Sequence, residues 1–410
     1  MTMHSVPASC EVLVVGAGPA GSACAQMLAR AGFDVVLCDR HDFPRDKVCG
    51  DGLIPDAHRA LARLGVLDEV LARARSARHV GCIAPHGGRV EVPAQLAVLP
   101  RRELDDIVRR AALAAGARWL APACFDAPLF DAGQRVVGAR LRLAGSSMHE
   151  LRARWTVLAT GAATVPLIAA GVCVRRAPSG FALRGYVKNE AMAARITGLE
   201  VVWHRALRGG YGWIFPCGAG MFNVGVGLIT HGQDQAAMPE LNLRELFAAF
   251  AHLHAPAHEL LQGGTQVGAL KGAPLRCSLE GARWSRPGLL VAGEAAGSTY
   301  LFTGEGIGKA LETGMLATEA LVEGREPGPG EDAAVRSHYE AALAALKPRF
   351  AAYAQANRVN EHPWLADLVI WRARRSARIV GRLAGVLEET HNPGKLVSAK
   401  GLARLFFPLG

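Results

Sequence analysis

Gly16, Gly18 and Gly21 stand in the hexapeptide GAGPAG, which Pro19 and Ala20 complete. The apolar run CEVLVV precedes it and the helix-spaced SACAQMLARAG follows. A second apolar run, FDVVLCDR, then brings Asp39 and Arg40, about 20 residues on as the dinucleotide fingerprint requires. Gly16 permits the tight turn, Gly18 lets backbone approach a pyrophosphate, and Gly21 lets helix and strand pack closely. The helix start offers amides and a positive dipole end to phosphate. Asp39 is placed to accept from ribose hydroxyls.

A second glycine turn, Gly293-Glu294-Ala295-Ala296-Gly297, follows another buried run far down the chain. A long cofactor touched at both places suits FAD better than NAD. Three further stretches carry unusual chemistry. FPRDKVCGDG sets Cys49 between Val48 and Gly50, with Asp51 next. YGWIFP puts Tyr211, Trp213 and Phe215 on one face of a strand, by the two-residue period. FTGEGI, with Thr303, Gly304, Glu305, Gly306 and Ile307, leads into a helix. This is a capped helix start; if it points at a flavin ring, its positive end would also stabilise negative charge on the reduced flavin.

The elements that must position these residues read as a βαβ unit interrupted by a second region. DAHRALARLGVLDEVLARA is helical from about residue 56, and HVGCIAPHGGRVEVP is a hairpin turning at His86-Gly87-Gly88. LPRRELDDIVRRAALAAGA is a helix; RVVGARLRLAG and LRARWTVLATGA are strands. FALRGYVKNE, LEVVWHR, YGWIFP and MFNVGVGLI are strand-like, and LRELFAAFAHLH is helical. The segmentation predicted is a discontinuous FAD-binding domain (1–75, 98–170, 268–325), a substrate-binding domain (76–97, 171–267) and a C-terminal helical region (333–410). REPGPGED is the linker before the last.

The chain has 410 residues, half of them apolar, and a formal charge of +10. The length fits two domains with an extension. Nine cysteines are spread singly, without CxxC or a His/Cys cluster, which argues for free thiols and against a metal site. No apolar run is long enough to span a membrane and no secretory signal is visible, so a cytoplasmic protein is expected. The positive charge lacks aromatic-rich basic motifs, so nucleic acid is not an expected partner. From Trp371 to Arg404 eight Lys/Arg face two acids, Glu388 and Glu389, and LARLFFPLG follows. A docked helical extension with a solvated basic face accounts for this; the sharper expectation is a peripheral contact at the inner membrane face.

Taken together, these stretches resemble the flavoproteins related to geranylgeranyl reductase, within the group sharing the p-hydroxybenzoate hydroxylase fold. The resemblance covers nearly the whole chain. It implies an α/β fold: a Rossmann-type FAD-binding domain, an inserted antiparallel-sheet substrate domain and a C-terminal helical extension. GAGPAG with Asp39 and Arg40 resembles the ADP-binding end, and Arg101 in RRELD the arginine that reaches the cofactor. Thr160 and Gly161 resemble a middle contact, Gly293 and Glu294 the turn holding the ribityl chain, and Gly304 to Ile307 the stretch under the ring. Cys49, Gly50 and Asp51 then lie beside the ring. Tyr211, Trp213, Phe215 and Pro216 line a pocket for an apolar chain. Three positions depart from the family: Glu294 replaces an Asp, Thr160 replaces the Asp of the aromatic hydroxylases, and Val48 replaces a proline.

The function this implies is FAD-dependent reduction of carbon–carbon double bonds in an isoprenoid chain by hydride from the reduced flavin. Cys49, Tyr211 or a water would supply the proton, with Asp51 as relay; a purely structural turn around Cys49 stays open. The reductant would be NADPH or a reduced electron carrier, including an electron-donor protein. The alternative is a flavin monooxygenase acting on an aromatic molecule or a peptidyl side chain, a halogenase being a weaker version. A flavin-loaded accessory protein is the third reading.

Overall fold

The apolar run Ser9–Val15 becomes the centre of a parallel sheet because both of its faces are covered. In a computed structural model, which describes residues 6–229, 242–325, 330–398 and 401–402, it pairs in parallel with Val35–Cys38 and with Met148–Leu158. Leu289–Val291 continues the sheet on one side and Arg118–Leu120 on the other, both in parallel. Val12 and Val14 face the helical layer of Pro19–Arg30 and Ile307–Glu323, where Leu28, Ala317 and Leu321 pack. Leu13 and Val15 face the opposite layer, with Phe125, Val136 and Leu141 of the strands Ala123–Phe130 and Val136–Leu143. Each fully buried Leu or Val contributes about 1.5–3 kcal/mol. The continuous apolar run is the price of a strand with no wet face.

The second sheet runs, in spatial order, Thr265–Leu275, Gly180–Lys188, Met221–Ile229, Gly210–Gly218, Leu199–Val202, Arg75–Ile83, Arg89–Val98 and Gly52–Leu53. Its neighbours are antiparallel except Leu199–Val202 with Arg75–Ile83. Its rear face carries Leu183, Ile214, Val224 and Val226 against Phe247 and Phe250 of the helix Leu243–Leu253. The hairpin expected around His86-Gly87-Gly88 is the pair Arg75–Ile83 and Arg89–Val98.

Sheet membership departs from the expected segmentation in two places. Thr265–Leu275 is an outer strand of the second sheet, so the chain returns to the first sheet at Ser285–Arg286 and not at residue 268. It is mostly exposed, and an exposed edge strand lacks an apolar signature. Gly52–Leu53 likewise joins the second sheet. The helix expected from residue 56 is two, Pro55–Arg63 and Leu67–Arg73, parted where Gly65 adopts φ +72°.

The C-terminal part is helical: Glu331–Ala356, Arg358–Glu361, Trp364–Ala373, Ala377–Leu387 and Pro393–Leu396. Residues 326–329 of the expected linker, and 403–410 of the apolar end, lie outside the described residues.

Candidate active site

The glycine turn is built by contact. Gly16 has φ +101°, and a Cβ there would lie 2.4 Å from the Ala159 carbonyl oxygen. A Cβ on Gly21 would lie 1.8 Å from the Gly16 carbonyl oxygen. At Gly18, in contrast, a Cβ would meet only the Arg45 guanidinium at 3.6 Å, so there is room beside the turn for a ligand. Asp39 accepts from the Ala17 amide at 2.8 Å and the His41 amide at 2.9 Å, so it braces the turn and keeps lone pairs for a ligand. Thr160 Oγ1 is buried without a partner. An open anion-binding turn and an orphaned hydroxyl on one cavity fit the phosphate and ribityl parts of FAD.

That cavity measures about 930 Å³. Of the expected cofactor residues, all but Gly21 border it, Arg40, Gly161, Gly293 and Ile307 included. Gly21 acts one layer below, where the helix meets the strand. Lys47 Nζ reaches Glu294 Oε2 at 3.3 Å, joining two stretches 247 residues apart.

Cys49, Gly50 and Asp51 form a loop held from three sides. Arg101 pairs bidentately with Asp105, at 2.7 and 2.9 Å, and Arg45 adds a second guanidinium to the same carboxylate at 3.0 Å. Burial works against the Arg101 charge, but the Asp105 carboxylate more than offsets it and raises its pKa. Asp51 is fully buried and sits at φ +65°, a left-handed conformation uncommon for a side-chain-bearing residue. Three donors hold it: Tyr186 Oη at 2.6 Å, Asn223 Nδ2 at 2.7 Å and the Arg101 amide at 3.2 Å. Burial lifts its carboxyl to about 6, and the bonds from Tyr186 and Asn223 pull back only partly. Asn223 also donates to the Cys49 carbonyl at 2.7 Å and accepts from Trp213 Nε1 at 2.9 Å. Arg184, fully buried, donates to Asp46 and to the Lys47 carbonyl. Sequence reading passed over Arg184, Tyr186 and Asn223. The signal was there: polar side chains interrupt otherwise apolar strands.

Tyr211, Trp213 and Phe215 border the cavity in a row, with ring centroids 6.3 and 6.4 Å apart. Gly50 lies under Phe215: a Cβ on it would be 3.0 Å from the ring. Pro216 is a correction. It borders a separate, smaller recess, because the two-residue period turns it away from the aromatic face. The Tyr211 hydroxyl donates to the Thr303 carbonyl, and burial pushes its pKa up. Its proton is therefore committed to holding the Thr303–Gly306 turn.

The far wall was not foreseen. Val359, Ala366, Val369, Ile370, Leu383 and Leu387, all from the C-terminal helices, border the same cavity. The space thus runs from polar backbone at the glycine turns, past Cys49 and the aromatic row, into an aliphatic end.

Comparison with known proteins decides the family. The FAD binding domain model matches residues 9–204. Menaquinone reductase of Mycolicibacterium smegmatis is 34% identical over 340 residues, 77% of this chain and 76% of that protein. Digeranylgeranylglycerophospholipid reductase 1 of Methanopyrus kandleri is 32% identical over 321 residues, 77% of this chain and 81% of that one. The chain belongs to the geranylgeranyl reductase family. The fold agrees: a geranylgeranyl bacteriochlorophyll reductase-like protein from Thermoplasma acidophilum superposes with a TM-score of 0.71 at 21% identity, over 98% of each chain. Members of this family are FAD-dependent oxidoreductases, and this enzyme is one. Glu294 borders the cavity, and its carboxylate also reaches Lys47.

Proposed function

We propose that this flavoenzyme reduces a carbon–carbon double bond in an isoprenoid chain attached to a quinone or a lipid head. The observation that carries this reading is the continuous cavity: a flavin end, a thiol, an aromatic row and an aliphatic end supplied by the C-terminal helices. Its volume is near the top of the range for small-molecule sites, about 300–1,000 Å³. The two named relatives above, a menaquinone reductase and a digeranylgeranylglycerophospholipid reductase, support it.

When bound, reduced FAD supplies hydride. The chain's own residues supply place and proton. The Thr303–Gly306 turn, pinned by Tyr211, and the Val48–Gly52 loop, pinned by Asn223 and Arg101, fix the two sides of the ring site. Cys49 is the group we assign as proton donor to the alkene carbon. Its thiol neighbours the Arg101 guanidinium, so the charge left on sulfur would face a permanent cation. Asp51 keeps that loop in its left-handed turn. The aromatic row and aliphatic wall exclude water and align the chain.

NADPH or a reduced electron carrier is the proposed source of electrons; an electron-donor protein would dock transiently. For the substrate, delivery from a membrane surface is the reading we favour. Among the described residues no helix is long and apolar enough to cross a membrane. Trp364 and Trp371, seven residues apart on one helix face, are 58% and 45% exposed. Exposed Arg374, Arg375 and Arg378 follow, and the opposite face of the same helix borders the cavity. Aromatic side chains beside arginines suit an anionic headgroup layer. Substitution Cys49→Ala with full flavin loading tests the chemistry: turnover should fall by about 10²–10⁴-fold, and unchanged turnover would remove Cys49 from it.

A further inference from the structure

Beneath the Thr303–Gly306 turn, four carboxyl groups meet three cations. Lys309 Nζ lies 3.5 Å from Asp56 Oδ2, 2.6 Å from Glu312 Oε2 and 2.8 Å from Glu389 Oε1. Arg59 and Arg349 reach Glu389 Oε2 at 3.4 and 3.0 Å. Glu305 completes the set; it borders the flavin cavity through its turn, while its carboxyl lies against Asp56. The remaining titratable groups around it are His58 beside Asp56 and the hydroxyls of Tyr211, Tyr300 and Tyr353. Those hydroxyls donate to the Thr303 carbonyl, to Glu389 and to the Val386 carbonyl respectively, so none of them donates to the pair.

Both oxygens of Asp56 and both of Glu305 are buried and have no hydrogen-bond donor among the described residues; Asp56 Oδ2 has only the long ion pair to Lys309 at 3.5 Å. Buried carboxylates in that condition are costly. Two of them in contact can hydrogen-bond only if one is protonated. Charge points the same way. Four ionised acids against three cations would leave the cluster negative; one retained proton makes it neutral. Burial, followed by the repulsion of Asp56, raises the Glu305 carboxyl well above its ordinary range.

We propose that Asp56 and Glu305 share one proton in the oxidised protein, and that the pair is a proton-uptake site linked to reduction of the bound flavin. Two electrons delivered to the flavin by an external reductant bring negative charge to the cavity side of the turn. The pair answers by binding a second proton from water, so that both groups become carboxylic acids. Lys309 and Glu389 connect the pair to Arg59 and Arg349, which are partly exposed and mark the entry side. By linkage, a proton on the pair makes the flavin easier to reduce. Glu305 is thus a positioning residue acting through charge. The inference rests on FAD in the cavity and is independent of which alkene is reduced.

The test uses FAD-loaded protein and no substrate. Infrared spectra of the oxidised wild type at neutral pH should show a protonated buried carboxyl, and Glu305→Gln should lose that band. Dye-coupled reductive titration from acid to alkaline pH should show the wild-type midpoint potential falling more steeply with pH than that of the variant. Asp56→Asn should flatten the profile in the same way and guards against a Glu305→Gln protein that fails to hold flavin. Absence of the carboxyl band in the wild type, or superimposable potential profiles in wild type and a flavin-loaded variant, overturns the proposal. Loss of alkene reduction alone would bear on the substrate reading and not on this one.

Discussion

Asp51 shows how one side chain can serve a site through its surroundings. Its carboxyl is lifted to about 6 by burial, above the ordinary aspartate value. A raised acid favours folding while it is protonated, and that contribution is lost as pH rises through the folded value. The window therefore runs from about pH 4 to about 6, with at most about 3 kcal/mol at stake. Urea unfolding of wild type and Asp51→Asn across that window should show the wild type losing stability relative to the variant as pH rises, with a constant difference above it. Parallel stability curves would contradict the burial argument. Gly21→Ala makes a sharper prediction. A Cβ 1.8 Å from the Gly16 carbonyl must push helix from strand, so the purified protein should be colourless or nearly so. Much of this was readable in advance, since GAGPAG, VCGDG and FTGEG each fix a local backbone shape by residue type. Arg184, Tyr186 and Asn223 were legible only as polar interruptions of apolar strands; their partners were not, because these depend on which loop the second sheet happens to face.

Among the ties between the C-terminal helices and the flavin-binding part is one buried acid that gathers four donors. Glu389, counted in the sequence only as one of two acids in a basic tail, accepts from Tyr300, Lys309, Arg349 and Arg59. Burial would lift its pKa, but Lys309 leads a set of partners that hold it below the ordinary range. Removing one partner of a buried ion pair costs about 3 kcal/mol or more. Glu389→Gln should therefore loosen Ala377–Leu387, read as faster hydrogen exchange there with unchanged exchange in Pro19–Arg30. Equal protection in both proteins would show that apolar packing alone holds the cover. That the tail is helical was expected. The docking of its helices over the cavity was not, because periodicity gives a face and not its partner. The strand Thr265–Leu275 escaped for the opposite reason: being exposed, it has no buried face to betray it.

At the scale of the molecule, the two sheets and the C-terminal cover enclose one space whose character changes along its length. Polar backbone and Asp39 lie at one end, Cys49 and three aromatic rings in the middle, and aliphatic side chains at the other end. The exposed Trp364 and Trp371 sit outside that aliphatic end, on the far face of the helix that lines it. Sedimentation with anionic vesicles should carry the protein down at low salt, and Trp364→Ala with Trp371→Ala should weaken it; no binding to such vesicles would leave the substrate to arrive by another route. The central claim concerns the reaction. Under anaerobic conditions, the dithionite-reduced protein should be mixed with a quinone bearing an unsaturated isoprenoid tail. Reoxidation of the flavin together with a product heavier by two hydrogens in the tail is the predicted result. A flavin that stays reduced until oxygen is admitted, and then inserts an oxygen atom into an aromatic substrate, would contradict it.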